Sequence, residues 1–390
     1  MFVEKVLLIG SSYSALTILK ILKNLNFKII VCGNNKLDPC HKLSDKSIFL
    51  DYSNLKNIEL IDPKLFDYIV PSFNDSAYLF ATKLAQKKKN PGFDSFKTAN
   101  AIHKKNLYKK LLTQSEIPQL KYLVFNSLNP SLIKEFNSFP AILKPIDSHS
   151  GKGCKKISSK KELLNLIKTL SNKLYIIEEF FNGSLHSHSA FISQKKIVID
   201  FFVDEFTTNY PFQVNCSNSP SNLKKTVKFK IREFIQNFVI THNLCDGLLH
   251  TQFLVKNNSF FIVESMRRGP GDLYNKLIEE SHSFQYTLNY ILPFVGKSYI
   301  FTKTKYDKFF GRLTLDRMTK GNIFSIEFLS SFKNTKLFPL KVVGDEFIEA
   351  PEDKIGIIFV EYRNKKEMIK ITPKLNNFFR INIIDNEKKI

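Results

Sequence analysis

Apolar positions near the start of the chain switch between two periods. Lys5-Val6-Leu7-Leu8-Ile9 is a short apolar run ending at Gly10, as a buried strand does. From Ser14 to Asn24, Leu16, Ile18, Leu19, Ile21 and Leu22 recur at helical spacing. Phe27 to Val31 and Tyr68 to Val70 repeat the strand pattern, Asp75 to Ala85 repeats the helical one, and Pro91-Gly92 closes the segment as a loop. Strand, helix, strand in succession predicts an α/β unit: a parallel sheet with helices on its faces.

The pattern then changes. A helix is expected at Ala99 to Thr113, ended by Ile117-Pro118. Beyond it come strands at Ala141 to Lys144, Tyr175 to Ile177, Ser189 to Ile192 and Ile197 to Val203, with a helix at Lys161 to Leu170 between them. Asn209 to Ser221 is polar, holds Pro211 and Pro220, and reads as a loop. A helix at Leu223 to His242 and strands at Leu249 to Val255 and Phe260 to Glu264 follow. The remainder reads as β-rich, with strands at Tyr299 to Phe301, Phe309 to Leu315 and Ile357 to Tyr362. This part is of α+β character. No internal repeat or low-complexity tract appears.

Composition narrows the class. A chain of 390 residues accommodates two or three domains, and 43% hydrophobic with 13% aromatic residues excludes a disordered chain. Lys+Arg is 58 against Asp+Glu 36, a net charge of +22. Such a balance suits nucleic acid, a membrane surface or an anionic small substrate. The lysines are spread along the whole length, which favours a solvated surface over a nucleic-acid tract. Five cysteines without a CxxC pair indicate neither a zinc knuckle nor a disulfide framework, and suit a reducing compartment. The apolar N-terminal runs are divided by Gly10-Ser11-Ser12 with no cleavage site after them, so neither a signal peptide nor a membrane span is expected. The expected location is the cytoplasm.

Four segments carry candidate chemistry. The first is Phe139-Pro140-Ala141-Ile142-Leu143-Lys144-Pro145, followed by Ser150-Gly151-Lys152-Gly153. A lysine ending an apolar strand is close to buried and calls for an anion. The small residues after it let backbone N–H groups close on phosphate oxygens, or form a plain glycine turn. The second is Tyr175-Ile176-Ile177-Glu178-Glu179-Phe180-Phe181-Asn182-Gly183, where a strand end beside a carboxylate and phenylalanines suits a purine edge, or is a solvated turn. The third is a hairpin folded at Asn257-Asn258, which sets Gln252 and Glu264 close to facing positions. Two oxygen donors there would chelate one hard cation, or stand as solvated polar side chains on a half-exposed hairpin. The fourth, Met266-Arg267-Arg268-Gly269-Pro270-Gly271-Asp272, places two arginines in a Gly/Pro loop beside the metal candidates, as an anion site or a basic turn.

These segments, in this order, resemble the ATP-grasp superfamily, on the branch that includes biotin carboxylase, carbamoyl phosphate synthetase and the L-amino acid ligases. The likeness runs from about Val6 to Phe294. It implies a Rossmann-like domain over residues 1–95, an ATP-grasp domain over 96–297 and a C-terminal β-rich appendage over 298–390. It implies ATP and Mg2+, or Mn2+, as cofactors. Lys105 and Lys144 would contact ATP phosphates, with the loop from Ser148 through Ser150, Gly151 and Lys152 to Gly153 closing over them. Glu178, Glu179 and Phe181 would form the adenine hinge, the last two through backbone groups. Gln252 and Glu264 would be the metal ligands. Arg268, with Arg267 beside it, would hold the substrate carboxylate. The chain departs from the family pattern at Lys104, where an aspartate is usual, at Leu185 in place of a ribose-binding acid, and at Met266 in place of an asparagine ligand.

The activity so implied is a carboxylate–amine ligase that forms an amide or peptide bond through an acyl phosphate. Its partners would be small-molecule carboxylates and amines, with no membrane and no nucleic acid; homodimers are frequent among relatives. A carboxylase-type or nucleotide-biosynthesis enzyme of the same fold is the alternative, and a degenerate scaffold binding polyanions a third reading. His250 stands near the hairpin as a general base or as a structural histidine.

Overall fold

In a computed structural model, residues 3–147, 151–301 and 308–384 are described. The first four strands, β1 (Lys5–Ile9), β2 (Lys28–Gly33), β3 (Lys46–Phe49) and β4 (Tyr68–Pro71), form a parallel sheet in the order β3-β2-β1-β4. Val6 and Leu8 pack on one face with the helix Leu16–Asn24, while Leu7 and Ile9 pack on the other with the helix Asp75–Lys88. Burial on both faces explains why these strands read as continuous apolar runs.

A second sheet holds β5 (Tyr122–Asn126), β6 (Ala141–Pro145), β7 (Lys155–Ile157) and β8 (Leu174–Glu179) in the antiparallel order β5-β8-β6-β7. The helix Lys160–Ile167 buries Leu163 and Ile167 against it. The segment expected as one helix from Ala99 is two, Phe96–His103 and Lys105–Gln114, broken where Lys104 adopts an extended backbone.

Six strands follow: β9 (Ser184–Ser193), β10 (Lys196–Phe206), β11 (Cys216–Ser219), β12 (Gly247–Lys256), β13 (Ser259–Met266) and β14 (Phe309–Leu315). After β15 (Gly321–Phe328) come β16 (Asn334–Pro339), β17 (Glu346–Phe347), β18 (Gly356–Tyr362) and β19 (Phe379–Ile384). An eight-stranded sheet runs β13-β12-β9-β10-β11-β14-β18-β16, and β17-β15-β19 form a small sheet of their own. The β-rich C-terminal part therefore lengthens the central sheet by three strands. Phe191, Phe201, Leu248 and Phe310 on one face of the large sheet join the core of the N-terminal unit. Ala190, Ile192, Leu249 and Phe253 on the other meet the helix Lys225–Thr241.

Two further sequence expectations fail. Cys216–Ser219 lies inside the stretch read as a loop, yet it is a strand, wholly buried between β10 and β14. Tyr299 to Phe301 is not a strand; Tyr299 packs edge-on against Phe191, and Phe301 stacks on Phe284. No described helix is long and apolar enough to cross a membrane.

Candidate active site

Lys144 ends β6, and Glu178 on β8 lies opposite Ile142, one pleat away on the same face. The two side chains form an ion pair, and Lys109 pairs with the other oxygen of the same carboxylate. None of the three side chains is more than 10% exposed. Burial alone would raise Glu178, but the two ammonium groups hold it down at about 2. Burial pulls the Lys144 ammonium down and Glu178 more than offsets it. Lys109 sits one turn after Lys105 on the helix Lys105–Gln114, so both project from one side of that helix.

Cys154, just past the glycine loop, reports which groups converge. Its thiol is raised by burial, drawn down by Lys144 and Lys105, and raised again by Glu264 and Glu178. Both candidate phosphate lysines, the candidate hinge carboxylate and a candidate metal ligand thus lie within electrostatic reach of the loop end. Gly151 has φ +71, and a Cβ there would meet the Phe212 carbonyl oxygen at 2.6 Å, so the loop rests on the Tyr210–Gln213 turn only because residue 151 is glycine. Ser150 lies outside the described residues. Lys152 pairs with Glu352 at 2.6 Å, a partner supplied by the C-terminal part. At the hinge, the Glu179 N–H bonds Lys121 O at 2.9 Å, and Phe181 packs edge-on against Phe261 of β13 with centroids 4.8 Å apart, which ties the hinge to the hairpin.

On that hairpin Gln252 and Glu264 are direct cross-strand partners, followed by an irregularity between Gln252 and Phe253. Both are half-buried. The donor set is an amide and a carboxylate, hard oxygen ligands that suit magnesium. No group of three His, Cys, Asp or Glu side chains able to hold a metal occurs among the described residues. A cation here would complete its shell with phosphate and water oxygens, as magnesium does. The Gln252 amide nitrogen donates to Glu205 at 2.6 Å, and burial pushes the Glu205 carboxyl up to about 7.

The adjacent arginines diverge, because consecutive residues leaving a strand point to opposite sides. Arg268 Nε and Nη2 grip Asp75 at 2.9 and 2.6 Å, and Nη1 donates to Gly269 O at 3.1 Å. Among the described residues two of the five guanidinium N–H groups remain for a further oxyanion. Arg268 holds the Asp75 carboxyl well below its usual range against the push of burial, and His103 assists. The Arg267 N–H donates to His103 Nε2 at 3.2 Å, so the His103 proton sits on Nδ1 and is donated to Asp75 at 2.7 Å. Arg267 itself corrects an expectation. Its side chain is 1% exposed, with Nε on Asp94 at 2.6 Å and Nη1 and Nη2 on the carbonyls of Leu248 and Cys245 at 2.9 Å. It bolts the N-terminal segment to the sheet and faces no open anion site.

His250 is fully buried, donates to or accepts from Ser189 through Nδ1 at 2.8 Å, and is held neutral by burial, its pKa lowered to about 3. Sequence reasoning missed Lys109, Glu205, Asp75, Asp94 and Arg312. Arg312 on β14 is 1% exposed, pairs with Asp272 and donates to Ser217 at 2.7 Å. A lysine buried on an amphipathic helix and acids far from the segments they serve leave no local signal.

No protein-family model matches the chain. Among curated proteins it is 23% identical over 304 residues, 75% of this chain and 77% of that protein, to a formate-dependent phosphoribosylglycinamide formyltransferase of Prochlorococcus marinus (strain NATL1A). Among solved structures it resembles the L-amino acid ligase of Bacillus licheniformis, with a TM-score of 0.81 and 17% identity over 98% of this chain and 99% of that one. It also resembles the biotin carboxylase domain of the Hydrogenobacter thermophilus 2-oxoglutarate carboxylase, solved with MgADP, ADP and bicarbonate, with a TM-score of 0.76 and 12% identity over 99% of this chain and 92% of that one. The fold is therefore the ATP-grasp fold. The proteins that share it here are carboxylate–amine ligases and a biotin carboxylase.

Proposed function

We propose that the chain is an ATP- and magnesium-dependent carboxylate–amine ligase working in the cytoplasm. The observation that carries the reading is the direct pairing of Gln252 with Glu264, with the buried Lys144–Glu178–Lys109 ion pairs on the neighbouring sheet and helix. A carboxylate has no usable leaving group. One of its oxygens attacks the γ-phosphorus of ATP, ADP departs, and an acyl phosphate forms. The amine nitrogen then attacks the acyl carbon, phosphate leaves with the electrons of the C–O bond, and the nitrogen loses a proton. Magnesium held by Gln252 and Glu264 would offset charge on the phosphates. Lys105 and Lys144 would neutralise charge that builds on the transferring group. Arg268, fixed by Asp75, would hold the carboxylate in line. Glu179 and Phe181 would receive adenine through their backbone groups. The loop at Gly151–Gly153 would keep water from the acyl phosphate.

A second reading, a nucleotide-biosynthesis enzyme whose amine is carried on a ribonucleotide, is favoured by the likeness to the phosphoribosylglycinamide formyltransferase across three quarters of the chain. All five cysteines are free, in keeping with a reducing compartment.

ADP release with Mg-ATP, across a matrix of carboxylates and amines, tests the proposal. Turnover that needs both partners and vanishes in Glu264→Ala supports it, and the active pair names the substrates. Turnover with bicarbonate alone points to a carboxylase-type reaction. Absence of ATP binding overturns the catalytic reading.

A further inference from the structure

Residues from six strands of the large sheet form one polar row on the face that carries the hairpin pair. Glu264 faces Gln252, Gln252 faces Ser187, and on the far side Glu205 faces Ser217, which faces Arg312. Glu205 lies one pleat along from the residue opposite Ser187, so the two halves of the row meet there. Glu205 is 4% exposed, and a carboxylate is costly at that depth. It accepts a hydrogen bond from the Gln252 amide nitrogen, at 2.6 Å, and is also hydrogen-bonded to the Ser187 side chain.

A glutamine in a cation site differs from a glutamate in one respect. A carboxylate offers oxygen whichever way it turns, whereas an amide offers oxygen on one side and two N–H donors on the other. The torsion that exchanges them is broad and roughly two-fold. Left alone, Gln252 would spend part of its time presenting N–H groups to a cation. Glu205 Oε2 accepts from the Gln252 amide nitrogen, which draws the NH2 side inward and leaves Oε1 for the side of Glu264.

We propose that Glu205 is a positioning residue that fixes the Gln252 amide so that its carbonyl oxygen, together with Glu264, faces the nucleotide-bound divalent cation. The inference rests on the ligase reading of the site and deepens it: a buried acid two strands away makes glutamine competent where two carboxylates are usual.

The test is Mn2+ binding in the presence of a non-hydrolysable ATP analogue, read by the EPR signal of free Mn2+ in mildly alkaline buffer. Partners that orient a metal ligand are worth about 10–100-fold in metal affinity, and E205Q is expected to weaken Mn2+ binding by about that factor. The reciprocal swap E205Q/Q252E puts a ligand with two equivalent oxygens at 252 and a donor amide at 205. It is expected to restore affinity to within about threefold of wild type, which is under 1 kcal/mol. E205Q binding Mn2+ as wild type does, or a swap no better than E205Q, overturns the proposal. Should E205Q fail to fold, the swap alone decides: wild-type affinity supports the role and weak binding refutes it. Failure of the ligase reading looks different, since wild type would then hold no Mn2+–nucleotide, or Glu264→Ala would leave binding unchanged.

Discussion

Lys109→Met isolates what the buried charges around Glu178 do. Lys109, Glu178 and Lys144 are each at most 10% exposed, and with all three ionised they carry one net positive charge. Methionine keeps most of the volume and removes the charge. Glu178 then keeps one of its two charge-assisted bonds, so the cost is that of one such bond, about 1.5–3 kcal/mol. This is less than the roughly 3–5 kcal/mol lost when a buried charge is left with no partner, the case that Lys109→Met with Lys144→Met would create. The effect on ATP is separate. In wild type the excess charge leaves Lys144 with attraction to spare for a phosphate; in the variant Glu178 cancels it. A charge lost at about 5 Å with an effective dielectric near 20 is worth about 3 kcal/mol before screening by salt, so ATP affinity is expected to fall by roughly 10–100-fold. Adenosine, which has no phosphate, should bind as before. Calorimetric titration of both ligands against wild type and variant measures the difference. Equal losses for ATP and adenosine would mean that Lys109 only shapes the cleft. No loss for ATP would refute the assignment of Lys144 to the phosphates.

Arg267→Met should lower stability by about 3–5 kcal/mol, read from urea midpoints, because Asp94 is left buried without its partner. Asp75→Asn should lower kcat/KM by roughly 10–100-fold in steady-state kinetics, since Arg268 loses its two-point anchor and with it the alignment of the carboxylate, and the melting temperature should fall as well because the largely buried guanidinium loses its ion-pair partner. Acid should destabilise the protein in two overlapping phases. His250 and Glu178 have folded pKa values lowered to about 3 and about 2, below unfolded values of about 6.5 and 4.3. The unfolded chain therefore binds protons first, so the stability these groups contribute is complete above about pH 6.5 and is lost as pH falls through both ranges. Urea midpoints across pH should show the loss between about pH 6.5 and 4.5 flattened in His250→Gln, with the lower phase retained.

The sequence is informative where chemistry follows local pattern. The apolar runs of β1, β2 and β4, the lysine at the end of β6 and the facing pair on the β12–β13 hairpin all lie within short windows whose period or turn is visible. What stays hidden depends on distant partners. Cys216–Ser219 has no strand propensity and is a strand because β10 and β14 flank it. Tyr299 to Phe301 has the propensity and finds no strand partner. Lys109 looks like a solvated helix lysine until Glu178, on a strand far along the chain, is placed beside it. Arg267 and Arg268 look equivalent until Asp94, in the loop before the helix Phe96–His103, and Asp75, at the start of the helix Asp75–Lys88, draw them apart.

The junction of β11 with β14 limits how this chain could be divided or recombined. A break after residue 297 would look harmless on a map of the chain, since it falls outside every strand of the hinge and the hairpin. It would strip β14, β18 and β16 from β11 and leave Cys216–Ser219 as a bare edge in the middle of what had been a continuous sheet. Unpaired backbone on a buried strand recruits other chains. The C-terminal part is thus not a module to be lost or exchanged independently; products ending at residue 297 would meet one another through that edge before they met a substrate.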